Sequence, residues 1–273
     1  MSAVSFKQEL VGLLGQPVAE NPTQAMVEAA FRSLDLDWRY LTLEVAPDAL
    51  GDAVRGARAF GFRGFHCTIP HKVAVVPHLD RLGESASAIG AVNCVVRRGD
   101  DLVGENTDGK GFLRSLEKRL DPRGAVVVVL GAGGAARAIA VELGLAGVGR
   151  LMVANRSEDR GRELARAVGG DFVLWRDDYE VPAGTDVVVN ATSIGLHPDV
   201  DERVPVAFAA PLLIADVIPN PPETRLLRDA AAMGCETLDG LGMLVKQGVL
   251  AVEYWTGRRP DPAVMREALS DVL

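Results

Sequence analysis

The feature that most constrains this chain is Val126-Val127-Val128-Val129-Leu130, followed at once by Gly131-Ala132-Gly133-Gly134-Ala135-Ala136. A continuous β-branched run ended by glycine marks a strand buried on both faces of a parallel sheet. Gly131 allows a tight turn, and Gly133 lets the backbone approach a pyrophosphate. Ala136, in the place of a third glycine, keeps the next helix close to the strand. The spacing Gly131-x-Gly133-x-x-Ala136 therefore predicts strand, turn and helix. The helix N-terminus would offer unpaired N–H groups and partial positive charge to phosphates. Alone, the glycines would be only a turn; the strand and helix around them make a dinucleotide site the expectation.

The neighbouring segments extend the pattern. Arg150 to Ala154, Asp186 to Asn190 and Leu212 to Asp216 read as further buried strands, and Glu158 to Val168 as a charged helix. Strands alternating with helices predict βαβ units and a doubly wound sheet. The first hundred residues are also α/β but less regular. Strands are predicted at Val11 to Gly15, Trp38 to Val45 and Phe65 to Ile69, with helices at Thr23 to Leu34 and Pro47 to Phe60. Ala91 to Val96 and Leu102 to Glu105 flank a turn-rich stretch and suggest a hairpin. A helix is predicted at Leu244 to Thr256. The fold class is α/β in two domains: an N-terminal α/β substrate domain and a Rossmann-type doubly wound domain. At roughly 150 residues per domain, 273 residues also give about two. The boundaries are set at residues 1–107 for the substrate domain, completed by helices over 241–273, and 108–240 for the nucleotide domain.

The end of the second nucleotide-domain strand bears on the cofactor. An NAD site usually carries an acid there, about 20 residues on, for the ribose 2′-OH. This chain has Asn155-Arg156-Ser157, with no acid until Glu158. Arg156 can make charge-assisted contacts with a 2′-phosphate, Ser157 can donate its hydroxyl, and Arg160 adds a second cation. NADP is favoured over NAD. A basic residue merely exposed at a helix start would be slightly disfavoured by the macrodipole.

Charge and cysteine content narrow the classes further. Acids outnumber bases by 37 to 29, a formal net charge of −8. That argues against a general nucleic-acid binder, which carries a basic excess. The three cysteines, Cys67, Cys94 and Cys235, are far apart and form no CxxC pair, which fits a reducing cytosol. No apolar stretch reaches the roughly 18–20 residues of a membrane span. Residues 1–9 lack the basic and apolar regions of a signal peptide. His78 and His197 are isolated, and no metal-site spacing links them.

The remaining motifs carry the chemistry. Phe65-His66-Cys67-Thr68-Ile69-Pro70-His71-Lys72 ends a strand. Gly90-Ala91-Val92-Asn93, Asn106-Thr107-Asp108 and Met243-Leu244-Val245-Lys246-Gln247-Gly248 follow. With these motifs and Gly131 to Ala135, Asn155-Arg156-Ser157 and Asn190-Ala191-Thr192, the chain resembles the shikimate dehydrogenase family from about Leu13 to Pro260. That family reduces 3-dehydroshikimate with NADPH or oxidises quinate with NAD(P). The resemblance implies a catalytic pair, Lys72 and Asp108. Independently, an alcohol that loses hydride must also lose a proton, and either a lysine of depressed pKa or a carboxylate beside it can take it. A plain salt bridge is the structural alternative. The resemblance further implies that Thr68, Asn93 and Gln247 bond substrate hydroxyls, and that Asn190, Ala191, Thr192 and Gly240 to Met243 line the nicotinamide. The cleft between the lobes is expected to hold the chemistry.

The departures fall on the substrate side. The family's S-x-S-P, whose hydroxyls hold the substrate carboxylate, is here Asn21-Pro22-Thr23-Gln24. The family's Asn is His66, and its Tyr in D-x-x-Y-x-P is Pro219. Asn21, Thr23 and His66 are thus the substrate contacts most altered, and His66 is either a titratable donor or a neutral steric replacement. A site that bonds particular groups discriminates strongly when they change. The reaction type is expected to be kept, with shikimate, quinate, an aminoshikimate or another hydroxylated cyclic acid as substrate. An NADPH-binding regulator with weak turnover is a competing reading from another class, and a folate-type dehydrogenase is a third. The partner is a small molecule rather than nucleic acid or membrane, and the chain is a monomer or homodimer.

Overall fold

The structure, a computed structural model, describes residues 7–272. Most of the N-terminal stretch read above for a signal peptide lies outside them. The chain divides into two compact units, Met1–Thr107 with Gly248–Leu273, and Asp108–Gln247. The second crossing falls inside a long helix rather than ahead of it, as the boundary at 241 had it. No helix among the described residues is long and apolar enough to cross a membrane.

The first unit is built on strands β1 (Glu9–Gly15), β2 (Trp38–Glu44), β3 (Gly64–Cys67), β4 (Arg81–Leu82), β5 (Cys94–Arg98) and β6 (Asp101–Glu105). They form one mixed sheet in the order β2-β1-β3-β5-β6-β4. β1 pairs parallel to β2 and β3, and β5 and β6 form the predicted antiparallel hairpin. Its helices are α1 (Thr23–Ser33), α2 (Leu50–Ala59), the single turn α3 (His71–Ala74) and α4 (Glu84–Ile89). Side chains alternate across a strand, so neighbours on β3 go to opposite faces. Phe65 and Cys67 enter a core with Leu14, Leu50, Val54 and Val95. His66 takes the other face, where it meets Tyr40 of β2.

The second unit opens with α5 (Asp108–Leu116). Its sheet uses β7 (Val126–Leu130), β8 (Arg150–Asn155) and β9 (Asp171–Leu174), with α6 (Gly134–Leu145) and α7 (Glu158–Ala167) between them. A minor parallel pair, β10 (Tyr179–Glu180) and β12 (Val206–Ala207), flanks β11 (Val187–Asn190) in sequence. β13 (Leu213–Asp216), α8 (Arg225–Ala232) and β14 (Glu236–Leu238) complete it. The six strands run parallel in the order β14-β13-β11-β7-β8-β9, the doubly wound arrangement expected. The valine run has the predicted burial. Val127 and Val129 pack into one core, and Val128 and Leu130 into the core on the opposite face. Helix α9 (Gly240–Thr256) passes from this unit into the first, where α10 (Pro262–Ser270) follows.

Candidate functional site

In the first unit, hydrogen bonds tie the sequence motifs together at one end of the sheet. Thr68 N–H donates to the Leu14 carbonyl (3.0 Å), and Gln16 N–H to the Ile69 carbonyl (2.9 Å). Cys67 N–H donates to Asn93 O (2.9 Å), and Val92 N–H to Lys72 O (2.7 Å). Asn93 is 4% exposed, and its amide closes on Thr107. Its Nδ2 donates to Thr107 Oγ1 (3.0 Å), while its Oδ1 accepts from Thr107 N–H (2.7 Å). The strand-end segment with Lys72, the Gly90–Asn93 turn and the Asn106-Thr107 segment therefore form one rigid unit. Thr107 had no role in the sequence reading, because a threonine's partner 14 residues away is set by hairpin register rather than by composition.

His71 is fully buried, with Nε2 against the Val45 carbonyl at 2.8 Å. A carbonyl only accepts, so Nε2 carries the proton and the ring pins the α3 turn to the end of β2. Lys72 and Thr68 are half-buried beside it. Burial pushes the Cys67 thiol up to about 12, although the Lys72 charge pulls it down. A thiol held that high is not a nucleophile at neutral pH.

His66 is 4% exposed and lies in a ring cluster. Tyr40 Oη is 2.8 Å from its Nδ1, and the Trp255 ring stands edge-on with centroids 4.8 Å apart. Burial first, then the Cys94 and Cys67 sulfurs, raise the Tyr40 hydroxyl well above its ordinary range, so it keeps its proton. Tyr40 Oη and His66 Nδ1 share one hydrogen bond, and the tautomer of the ring decides which of them donates. Tyr40 and Trp255 were not foreseen: their relation to His66 depends on strand pairing and on the return of α9. Tyr40→Phe should lower stability by about 1–3 kcal/mol, the usual cost of orphaning a buried polar atom. Thermal melting checks this; an unchanged melting temperature would remove the pair's structural role.

Asn21 and Thr23 sit where β1 leads into α1. Asn21 is half-buried and Thr23 is buried. The Asn21 Oδ1 accepts the Thr23 N–H at 3.1 Å. Thr42 Oγ1 donates to Gln24 Oε1 on the next residue of α1 (2.9 Å).

The second unit carries the nucleotide features. Gly131 has φ +108°, and a Cβ there would stand 3.0 Å from the Ala191 carbonyl. Only glycine suits both conditions, and the close approach holds the turn after β7 against Asn190-Ala191-Thr192. This is where the winding of the sheet reverses, between β7 and β11. Gly133 and Gly134 face open space: a Cβ at either position would meet nothing within 4 Å. Gly133 caps α6 without any side-chain hydrogen bond. The helix therefore starts with its N–H groups available to an anion. Ala132 and Ala135 are half-buried in this turn, and Ala136 is fully buried. Asn155 Nδ2 donates to the Ser157 carbonyl (2.8 Å), shaping the loop after β8. Arg156 and Arg160 are exposed, and neither makes an ion pair among the described residues. Their neighbours Arg137 and Arg162 are committed to Glu163 and Glu158. A dinucleotide phosphate fits this donor set.

Asp108 begins α5, and the two glycines behind it allow tight packing. A Cβ on Gly109 would strike the Ala138 carbonyl of α6, and one on Gly111 would lie 2.8 Å from Gln247 N and Met243 O of α9. Asp108 and Gln247 are thus held on helices packed backbone to backbone. Gln247 is buried, not on an exposed helix surface. Gly240 allows a similar approach to the Val217–Ile218 backbone, and Met243 is half-buried one turn on. Asp216, 1% exposed, anchors the adjoining loop. It accepts from Asn190 Nδ2 (3.1 Å), Ile218 N–H (3.1 Å) and Thr224 Oγ1 (2.8 Å). Asn190 in turn accepts from Thr192 Oγ1 at 2.7 Å. Pro219, in the family's tyrosine position, is half-buried two residues after Val217. Among the described residues no group of three or more His, Cys, Asp or Glu could hold a metal.

Three family profiles match the chain in order. They are the shikimate dehydrogenase substrate binding domain over residues 13–95, shikimate/quinate 5-dehydrogenase over 115–222, and the shikimate 5'-dehydrogenase C-terminal domain over 240–269. The chain belongs to the shikimate dehydrogenase family. A shikimate dehydrogenase (NADP(+)) of Geobacter metallireducens is 42% identical, over 99% of both chains. The Thermus thermophilus shikimate 5-dehydrogenase solved with NADP(H) and shikimate is 36% identical, with TM-score 0.87 over 97% of this chain and 100% of that one. The ligand-free 5-ketofructose reductase of a Gluconobacter strain is 49% identical. Its TM-score is 0.96, over 98% of this chain and 100% of that one.

Proposed function

We propose that this member of the family is an NADP-dependent oxidoreductase. It exchanges hydride between NADP(H) and the alcohol or ketone carbon of shikimate and 3-dehydroshikimate, or of a close polyhydroxylated analogue. The observation that carries this reading is the interlock of the Lys72 turn, Asn93 and Thr107, the residue just before Asp108. It holds the Lys72 turn beside neutral polar side chains, which supports a site for substrate hydroxyls over a purely structural ion pair. The first unit takes the substrate and the second the cofactor. The enzyme is cytoplasmic and acts as a monomer or homodimer.

The reduced nicotinamide, when bound, supplies the hydride. The α6 N-terminus holds its pyrophosphate, with Gly131, Gly133 and Gly134 keeping the approach clear. Arg156, Ser157 and Arg160 hold the 2′-phosphate, and Asn190 to Thr192, Gly240 and Met243 line the reactive end. Thr68, Asn93 and Gln247 orient substrate hydroxyls. Lys72 and Asp108 give a proton to the ketone oxygen in reduction and take it back in oxidation, and the ammonium stabilises alkoxide charge as it develops. An absorbance assay of the reduced nicotinamide tests the whole reading. Shikimate and quinate are offered with NADP+, and 3-dehydroshikimate with NADPH. Absence of turnover with cofactor still bound would leave the regulator reading instead.

The cofactor assignment has its own test. Losing a charge-assisted hydrogen bond costs about 1.5–3 kcal/mol, so Arg156→Ala should raise the KM for NADP about tenfold or more. The KM for NAD should stay unchanged. Equal effects on both cofactors would refute the 2′-phosphate role. A second reading is favoured by the Gluconobacter neighbour, whose substrate by name is a neutral polyhydroxy ketone. On that reading the same hydride and proton transfers act on a ketose.

A further inference from the structure

On the reading proposed above, the nicotinamide end has two walls: Asn190 to Thr192 after β11, and Gly240 to Met243 at the start of α9. A third group ties them together. Asp216, at the end of β13, is 1% exposed and accepts hydrogen bonds from both sides. Asn190 Nδ2 and the Ile218 N–H reach it at 3.1 Å each, and the Thr224 hydroxyl at 2.8 Å. The Val217 N–H adds a backbone tie to the Asn190 carbonyl (3.1 Å).

These bonds fix which way the first wall faces. An ionised carboxylate accepts and cannot donate, so Asn190 turns its NH2 toward Asp216 and its oxygen away. That oxygen takes the Thr192 N–H (3.2 Å) and the Thr192 hydroxyl (2.7 Å). Thr192 Oγ1 in turn accepts the Ile194 N–H (3.1 Å), which holds the side chain in one rotamer. Its methyl lies against the phosphate turn: a Cβ on Gly131 would stand 3.1 Å from Thr192 Cγ2. The second wall is set through Ile218. A Cβ on Gly240 would strike the Ile218 and Val217 carbonyls, so the start of α9 rests directly on the segment that Asp216 holds.

We propose that Asp216 is a positioning residue for the nicotinamide, acting through Asn190 and Ile218 to set both walls of its site relative to the phosphate turn. The inference rests on the NADP-dependent reading and deepens it. Hydride transfer is steep in distance and angle, and a misplacement of about 1 Å from a change away from the chemistry can cost about 100-fold. Thr224 is the internal control. It bonds the same carboxylate and caps α8 by accepting the Leu227 N–H, but has no printed bond to either wall.

The test compares Asp216→Asn, Gly240→Ala and Thr224→Val with the wild type, each as the full chain. Three quantities are read beside the melting temperature. They are the Kd for 2′-phospho-ADP-ribose, which carries the phosphates but no nicotinamide, the change in NADPH emission on binding, and kcat with the ketone the wild type reduces. Asp216→Asn and Gly240→Ala should keep the fragment's Kd, lose most of the emission change, and lower kcat about 10- to 100-fold. Thr224→Val should lower the melting temperature and leave the other three readings at wild-type values. Wild-type emission and kcat in a folded Asp216→Asn overturn the inference. So does a Thr224→Val that matches Asp216→Asn, or a fragment Kd that weakens in step, since each marks general loosening. Should Asp216→Asn fail to fold, Gly240→Ala, which displaces Ile218 from its other side, decides by the same criteria. A wild type that shifts NADPH emission yet reduces no ketone removes the oxidoreductase reading alone, and the two binding readings still judge Asp216. A wild type that binds NADPH with no emission change leaves the nicotinamide unheld and removes this inference.

Discussion

Replacing Lys72 by alanine should lower turnover by about two to four orders of magnitude, the usual worth of a positioned proton-transfer group. Asp108→Asn should fall in the same range. Neither change should unfold the protein. The α3 turn that carries Lys72 is held by the buried His71 ring and by the Val92 hydrogen bond to the Lys72 carbonyl. Both side chains are only half-buried. Steady-state kinetics with thermal melting separate the two effects. Near-normal turnover in both variants would end the catalytic assignment. Lost turnover with a collapsed melting transition would point to a structural pair.

The second large effect is on stability. Asp216→Ala removes the acceptor for Asn190, Ile218 and Thr224 in a fully enclosed site. Each orphaned buried donor costs about 1–3 kcal/mol, so a loss of about 3 kcal/mol or more is expected. Chemical denaturation measures it. A loss below about 1 kcal/mol would show that water or relaxation satisfies the donors instead. The same substitution has a pH signature. Burial raises the Asp216 carboxyl above its ordinary value, and the hydrogen bonds from Asn190 and Thr224 oppose that shift. A raised acid holds its proton more tightly folded than unfolded. Its contribution is complete below the ordinary carboxylate pKa and is lost as pH rises through the raised value. The alanine variant should lack that segment of the stability profile.

Asp216 shows why part of the site stayed hidden. In sequence it is the last residue of an apolar strand, and its family motif points to Pro219 rather than to itself. Its importance comes from β11 and β13 lying side by side, which sets Asn190 opposite it. Thr107 and Tyr40 are similar: each is an ordinary polar residue until hairpin or strand pairing supplies its partner. Gly109 and Gly111 had no part in the sequence reading. Only the packing of α5 on α6 and α9 shows that the backbones need the room. By contrast, the nucleotide turn was legible because its requirements are local. A buried strand, a positive-φ glycine and an uncapped helix start all lie within a dozen residues.

The amino-acid order was therefore enough for the parallel sheet around Val126–Leu130, the glycine turn that follows it, the motifs of the family, and the altered Asn21-Pro22-Thr23 segment. These depend on residue type and near-neighbour spacing, which govern backbone geometry and strand burial directly. The contact between Tyr40 and His66, the tie between Asn93 and Thr107, and the Asn190–Asp216–Thr224 network emerged only in the folded chain. So did the commitment of the Asn21 oxygen to its own turn. A hydrogen bond needs an angle and a distance to a particular atom. Those are fixed only when strands take their register and helices settle against them.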